Sequence, residues 1–244
     1  AARFFRRVTL YENQSALVIA DERKRGQKLF KIYEEFDKRQ PGWIAPAKQH
    51  ARRGWNLHYD TALGEGLNSE LNVETAKDED IGRASTLQAV HASELAFWDN
   101  PEVAWTSLMQ AVPDRGSEVI IESTANGVGN MFHQMWLDAE AGESDFIPIF
   151  LPWWIHEEYT VELTPSQKAE LAETLNVDEQ KMIEVGYELN GELHPLTIEQ
   201  VAWRRMTIRN KLRGDESLFR QEYPATARGA FLDSGNWFFD GHAL

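Results

Sequence analysis

The sequence predicts an α/β fold, a mainly parallel sheet flanked by helices, followed by a small helical subdomain. Three observations carry that prediction. Short runs of buried-strand character alternate with segments of helical period up to about residue 151, and strands separated by helices favour a parallel, doubly wound sheet. Two of the runs end abruptly in small polar or acidic residues: Leu87-Gln88-Ala89-Val90-His91-Ala92-Ser93-Glu94 and Glu118-Val119-Ile120-Ile121-Glu122-Ser123-Thr124-Ala125-Asn126-Gly127. After Trp153-Trp154 no strand pattern is legible, and two helix starts are well marked. A boundary is therefore expected near residue 152, with a core over 1–152 and a helical subdomain over 153–244.

The elements follow in order. Ser15-Ala16-Leu17-Val18-Ile19-Ala20 reads as a buried strand. Asp21 is the expected N-cap of a helix, in which Leu29, Ile32, Tyr33 and Phe36 recur at helical spacing up to a stop at Pro41. Residues 55–59 and 70–76 read as shorter strands, with Gly64 and Gly66 as turn chemistry between them. The strand ending at Glu94 comes next, then a helix over 101–111, then the Val119 strand. A helix over about 129–141 places Phe132, Met135 and Trp136 inward. Residues 146–151 read as a last strand, and Pro148 favours an edge position for it. Beyond it, Thr164-Pro165-Ser166-Gln167 is a capping box with Pro at the first helical position, and Thr197-Ile198-Glu199-Gln200 is a second box. Gly214 closes the second of these helices.

A chain of 244 residues accommodates one large domain, or one medium domain with an appendage. Its composition, 42% apolar and 26% charged, is that of an ordinary globular protein. The longest apolar stretch, residues 146–155, contains Pro148 and Pro152 and is too short and too broken to span a bilayer, so no membrane partner is expected. Nothing resembles a signal peptide. The first residues, Ala1-Ala2-Arg3-Phe4-Phe5-Arg6-Arg7, include no initiator Met, and the start is read as a cut inside a larger protein. The lack of Cys removes disulfides and thiolate metal sites and suits a reducing compartment. The seven His show no ligand spacing, so no metal-binding cluster is expected. A net charge of −14 argues against nonspecific coating of nucleic acid. Local DNA contact stays open, because Arg204, Arg205, Arg209, Lys211 and Arg213 lie on one predicted helix with a single acid, Glu199. The alternative for that helix is a solvated face.

In an open parallel sheet, ligands bind beyond the carboxyl ends of the strands. One run ending in Ser-Glu and another ending in Ser-Thr-Ala-Asn-Gly put a carboxylate and a polar sensor on one rim, as in a nucleotide motor. ATP hydrolysis needs a carboxylate to orient or deprotonate the attacking water, and positive groups on the transferring phosphoryl. Glu94 suits the first task; its alternative is a solvated loop acid. Ser93 stands where many such motors carry the Asp that holds Mg²⁺ through water, and an uncharged hydroxyl weakens the local case for a metal. Ser123, Thr124, Asn126 and Gly127 suit a γ-phosphate sensor, since small residues permit close approach and Asn offers both donor and acceptor. Read alone, the segment is a strand-to-helix connection capped by Ser or Asn. Arg83, 11 residues before Glu94, is either an arginine finger or a surface cation. No G-x-x-x-x-G-K-[ST] loop occurs, and Arg25-Gly26-Gln27-Lys28 is not one. The chain holds half of a nucleotide site.

The combination resembles the large terminase subunit of tailed bacteriophages, the ATP-driven DNA-packaging motor. His91-Ala92-Ser93-Glu94-Leu95-Ala96-Phe97-Trp98 is similar to the family's strand-end motif in its Ser-Glu form, and Ser123-Thr124-Ala125-Asn126-Gly127 to its coupling motif. Phe219-Arg220-Gln221-Glu222-Tyr223-Pro224-Ala225-Thr226, with Ala230-Phe231-Leu232-Asp233-Ser234-Gly235, resembles the segment that closes the ATPase region, and Trp203-Arg204-Arg205 resembles the family's lid.

The resemblance implies a RecA-like core of the P-loop ATPase type with a helical lid. Glu94 becomes the catalytic carboxylate and Arg83 an arginine finger acting across subunits, with Ser93, Ser123, Thr124, Asn126 and Gly127 at the nucleotide. It implies ATP and Mg²⁺ as cofactors of a full-length parent, neither held tightly by this chain. A phosphate loop is expected just upstream of residues 1–10, and a nuclease domain that cuts concatemeric DNA beyond the last residues, so Asp240 is not read as a nuclease ligand. The implied partners are double-stranded DNA, a portal protein, a small terminase subunit and further copies in a ring, this chain alone being expected as a monomer. The implied place is the bacterial host's cytoplasm, at the portal vertex of a procapsid, for a phage or a prophage. Two other readings share the features: a helicase-type nucleic-acid translocase, since Ser123-Thr124-Ala125 resembles the helicase Ser-Ala-Thr sensor, and a non-catalytic interaction domain that kept the fold and lost the phosphate loop.

Overall fold

A computed structural model describes residues 1–46, 55–60, 65–77 and 86–234. Gly64, Arg83 and the segment 235–244, all of which enter the sequence reading, lie outside the described residues. The chain divides into two compact units, Ala1–Thr124 and Ala125–Leu244.

The first unit is built on strands β1 (Ser15–Ala20), β2 (Asn56–Tyr59), β3 (Ser69–Thr75), β4 (Ala89–Ser93) and β5 (Glu118–Glu122), joined in the order β2-β3-β1-β4-β5. All pairs are parallel except β2–β3, which is antiparallel at one edge. The mainly parallel sheet expected from the sequence is present. β1 lies at its centre with every residue buried, which is why Ser15-Ala16-Leu17-Val18-Ile19-Ala20 shows no polar alternation. Side chains alternate between the faces of a strand. Ala16 and Val18 therefore share one face with Leu71, Val73 and Ala89, and pack with Phe4 and Val8 of α1 (Ala2–Leu10) and with Phe30 and Tyr33 of α2 (Arg23–Arg39). Leu17, Ile19, Val90 and Ala92 face the other way and are buried as well. Just before β3, Leu67 N–H donates to Tyr59 O at 2.8 Å, and a Cβ on Gly66 would collide with the Tyr59–Asp60 backbone. α3 (Pro101–Met109) starts at Pro101, as expected.

One local expectation fails in this unit. The N-cap of α2 is Glu22, without a side-chain capping bond, and Asp21 does not cap. Asp21 is engaged instead by Arg25 one turn along, at 3.0 Å.

The second unit is largely helical. α4 (Met131–Ala141) is capped by the Asn130 side chain, which accepts from His133 N–H. Phe132 and Trp136 of α4 meet Phe231 of α9 (Ala227–Asp233) at ring-centroid separations of 5.9 and 6.2 Å. The strand expected over 146–151 does not form: the segment carries no regular secondary structure, and Ile147, Ile149 and Leu151 are exposed. Pro148 and Pro152 explain this, since each removes a backbone donor that a ladder would need.

Next come α5 (Pro165–Glu173), α6 (Val177–Glu184), β6 (Tyr187–Leu189), β7 (Glu192–His194), α7 (Ile198–Lys211) and α8 (Glu216–Glu222). The two expected capping boxes are formed at Thr164 and Thr197, and a third, unexpected one at Asn176. Gly214 closes α7 with a φ of 85° and a bond from its N–H to Ile208 O. The β6–β7 hairpin corrects the expectation of no strand after residue 152. Its turn is Asn190-Gly191 with φ of 54° and 83°, and Asn-Gly is the favoured pair for a two-residue turn with both φ positive. Trp153, Trp154, Trp203 and Phe219 form the core, with Trp153 stacked on Trp203 at 5.3 Å. Among the described residues no helix is long and apolar enough to cross a membrane.

Candidate active site

β4 and β5 are parallel neighbours in register, Ser93 opposite Glu122. Their carboxyl ends therefore share one sheet edge, and Glu94 and Ser123 emerge side by side. Glu94 leaves the strand at φ 57° and ψ 43°, a left-handed conformation that costs a non-Gly residue about 1–3 kcal/mol and persists only where the surroundings enforce it. Here they do. Its N–H donates to Glu122 O at 2.7 Å, and its carbonyl accepts from Phe97 N–H at 2.9 Å, closing a single 3₁₀ turn.

The side chain of Glu94 is equally constrained. Oε2 lies 3.2 Å from Thr124 N, 3.3 Å from Ser123 Oγ and 3.4 Å from Thr124 Oγ1. The Ser123 hydroxyl accepts from Ala96 N–H at 3.2 Å and has a closer acceptor for its one proton in Thr124 O, at 2.7 Å. The backbone N–H of Thr124 is thus the steady donor to the carboxylate. Oε1 faces Arg25 Nη1 at 3.7 Å. That guanidinium also pairs with Asp21 at the end of β1 and lies over the Phe97 ring, 6.0 Å from its centroid. Asp21 is mostly buried, and its Oδ1 has no hydrogen-bond partner.

Next to Glu94, Ser93 is buried, and its carbonyl accepts from Trp98 Nε1 at 3.1 Å. Across the register, Glu122 is half-exposed with Oε1 at 3.3 Å from His91 Nε2. The hydrogen bond from His91 holds the Glu122 carboxyl below the usual carboxylate range, and the Ser93 hydroxyl acts the same way, against the cost of partial burial. α1 runs antiparallel to β5: Arg7 reaches Gly116 O at 2.5 Å, Arg3 pairs with Glu118, and Phe4 meets His91 edge-on at 6.2 Å. The amino end of α1 therefore points to the same sheet edge as Glu122.

The structure thus brings together four of the expected site residues: Glu94, Ser93, Ser123 and Thr124. Asn126 and Gly127 belong to the second unit, where their carbonyls accept from Asn130 Nδ2 at 2.9 and 3.2 Å, and Gly127 N–H donates to Ser234 Oγ. Asn130, not a residue of the Ser-Thr-Ala-Asn-Gly segment, caps the following helix. Arg83 lies outside the described residues. Sequence reasoning missed Arg25, Asp21 and Glu122 as neighbours of the site; the i,i+4 spacing of Asp21 and Arg25 was the available signal for the first pair.

The basic helix is a solvated face only in part: Arg209, Lys211 and Arg213 are exposed, whereas Arg204 and Arg205 are engaged by acids of the same unit. Arg204 is buried, 3.4 Å from Glu216 and 5.3 Å over the Phe219 ring. Arg205 pairs with the buried Glu179 and donates to Thr174 O at 2.8 Å. Among the described residues, no three His, Asp or Glu side chains gather to hold a metal by themselves.

No family model and no curated protein matches this chain. Solved structures do. The chain is similar to the large terminase ATPase domain of Thermus phage P74-26, at 16% identity over 93% of this chain and 80% of that chain, with a TM-score of 0.53. It is similar to a point mutant of the same domain at 19% identity, 88% and 77% coverage and a TM-score of 0.50. At such identities the likeness is one of backbone architecture. The fold of this chain is that of the ATPase domain of a phage large terminase.

Proposed function

We propose that the chain is the ATPase region of a terminase large subunit whose full-length form hydrolyses ATP and drives double-stranded DNA into a procapsid. The observation that carries this reading is the setting of Glu94: a strained carboxylate at a parallel strand end, with Oε2 anchored by the end of the next strand. An anchored carboxylate whose second oxygen, 3.7 Å from Arg25 Nη1, keeps a lone pair for a water is what general-base assistance to hydrolysis requires. Ser123 and Thr124 supply that anchor, and Thr124 is the last residue of the first unit. A displacement of this segment by nucleotide would move the anchor and the chain leading into the second unit together, which is a route for coupling hydrolysis to motion. The hydroxyls of Ser93, Ser123 and Thr124 suit phosphate oxygens and metal-bound waters.

The remaining parts of the reading are proposals of the same kind. ATP and Mg²⁺ are the cofactors of the parent; without a phosphate loop, this chain alone binds ATP weakly, since the loop backbone and its Lys make most phosphate contacts. Further copies in a ring, a portal protein, a small terminase subunit and DNA are the partners, in the cytoplasm of a bacterial host. Cutting of concatemers belongs to a separate nuclease domain.

The test is Glu94→Gln in the full-length protein. Turnover is expected to fall by roughly 10²–10⁴, the usual range for losing general acid–base assistance, with nucleotide affinity nearly unchanged. Turnover equal to that of the unsubstituted protein removes the catalytic reading.

A further inference from the structure

We propose that Glu122, at the end of β5, supplies the carboxylate that holds the nucleotide's magnesium ion, in place of the acid absent at Ser93. The inference rests on the ATPase reading above. Magnesium keeps several of its waters and is bound through one or two carboxylates together with substrate phosphates. In P-loop ATPases the protein carboxylate comes from the end of the strand that precedes the catalytic acid, which here is β4, ending in the uncharged Ser93.

The register restores the missing charge one strand over. Ser93 and Glu122 are paired residues of parallel neighbours, so they lie at the same height on the same face, about 4.8 Å apart between strands. The extra methylene of Glu over Asp recovers part of that sideways displacement. Paired in register, the Ser93 hydroxyl and the Glu122 carboxylate line one polar patch. His91 Nε2, 3.3 Å from Oε1, fixes one oxygen of the carboxylate, the kind of support that orients a metal-binding group. With its side chain 49% exposed, Glu122 has room for a hydrated ion. The amino end of α1 points to this edge, where its dipole favours phosphate.

The test uses the full-length protein and the affinity of a non-hydrolysable ATP analogue, measured calorimetrically with and without Mg²⁺. In the unsubstituted protein Mg²⁺ tightens binding. Glu122→Gln is expected to weaken Mg²⁺-dependent binding about 10–100-fold, the usual loss for a group acting on a metal through water. Affinity without Mg²⁺ should stay unchanged, which shows that the fold and the phosphate contacts survive. Adding Ser93→Asp to Glu122→Gln should restore the response to Mg²⁺. A Glu122→Gln protein with an unaltered Mg²⁺ response overturns the inference and leaves the ATPase reading standing. So does a loss of Mg²⁺-free affinity in the same variant, or a double variant that restores nothing. Failure of the unsubstituted protein to bind the analogue at all overturns the ATPase reading, and this inference with it.

Discussion

Arg205→Ala tests what the basic helix α7 is for. Arg205 donates to both oxygens of Glu179, with Nε at 2.7 Å and Nη2 at 2.5 Å, and to the Thr174 hydroxyl and carbonyl. Glu179 is only 2% exposed. Removing one partner of a buried pair costs about 3–5 kcal/mol, because the other charge is left uncompensated. Two features lower that range here. The Arg205 side chain is 32% exposed, so solvent already screens part of the attraction, and Glu179 keeps its reciprocal capping bond with Asn176. The expected loss is about 2–3 kcal/mol at neutral pH. Burial alone pushes the Glu179 carboxyl up, but the bonds from Arg205 and the Asn176 backbone together bring it below the ordinary value. A group whose pKa is depressed on folding contributes its full stability above the unfolded value of about 4.3, and that stability is lost as pH falls through the folded value. The gap between the unsubstituted protein and Arg205→Ala should therefore be full at pH 7 and close progressively below about pH 4. Urea unfolding followed by tryptophan emission reads this directly, since Trp153, Trp154 and Trp203 form the core of the same unit. A loss under about 0.5 kcal/mol, the range of ordinary surface substitutions, would place Arg205 among solvated cations and refute the reasoning. A gap independent of pH would show that packing, not charge, is what Arg205 contributes.

Arg25→Ala in the full-length protein should lower kcat about 10-fold at unchanged KM, the low end for a group that orients a reacting one, with partial recovery in Arg25→Lys; steady-state kinetics that raise KM instead, or a Lys variant as poor as Ala, would remove Arg25 as a positioning residue for Glu94. Gly186→Ala should destabilise the second unit by at least about 2 kcal/mol in urea unfolding, because φ is 81° there and a Cβ would enter the His194 carbonyl; unchanged stability would contradict that backbone conformation.

Much of this architecture is written in local patterns. The capping boxes at Thr164 and Thr197 were legible because both hydrogen bonds close within four residues, whatever the rest of the chain does. The hairpin at Asn190-Gly191 was equally local and was overlooked, since its strands have three residues each and show no alternation worth reading. Residues 146–151 went the other way: a run of apolar residues suggested a strand, but a strand needs a partner, and two prolines remove the donors with which to find one.

The candidate site divides along the same line. The sequence by itself determined that Glu94 and Ser123 share an edge, because two apolar runs ending in polar residues and separated by a helix are expected to be parallel and to end together. It could not say that Ser123 and Thr124 hold Glu94, that Arg25 stands on its other side, or that Glu122 lies across from Ser93. Nor could it say which cations are free: Arg205 and Glu179 are 26 residues apart, and Ser93 and Glu122 are 29 apart. The physical reason is range. A pattern of three or four residues specifies its own hydrogen bonds, whereas a pair distant in the chain meets only where packing and strand register bring it together, and those are properties of the folded core as a whole.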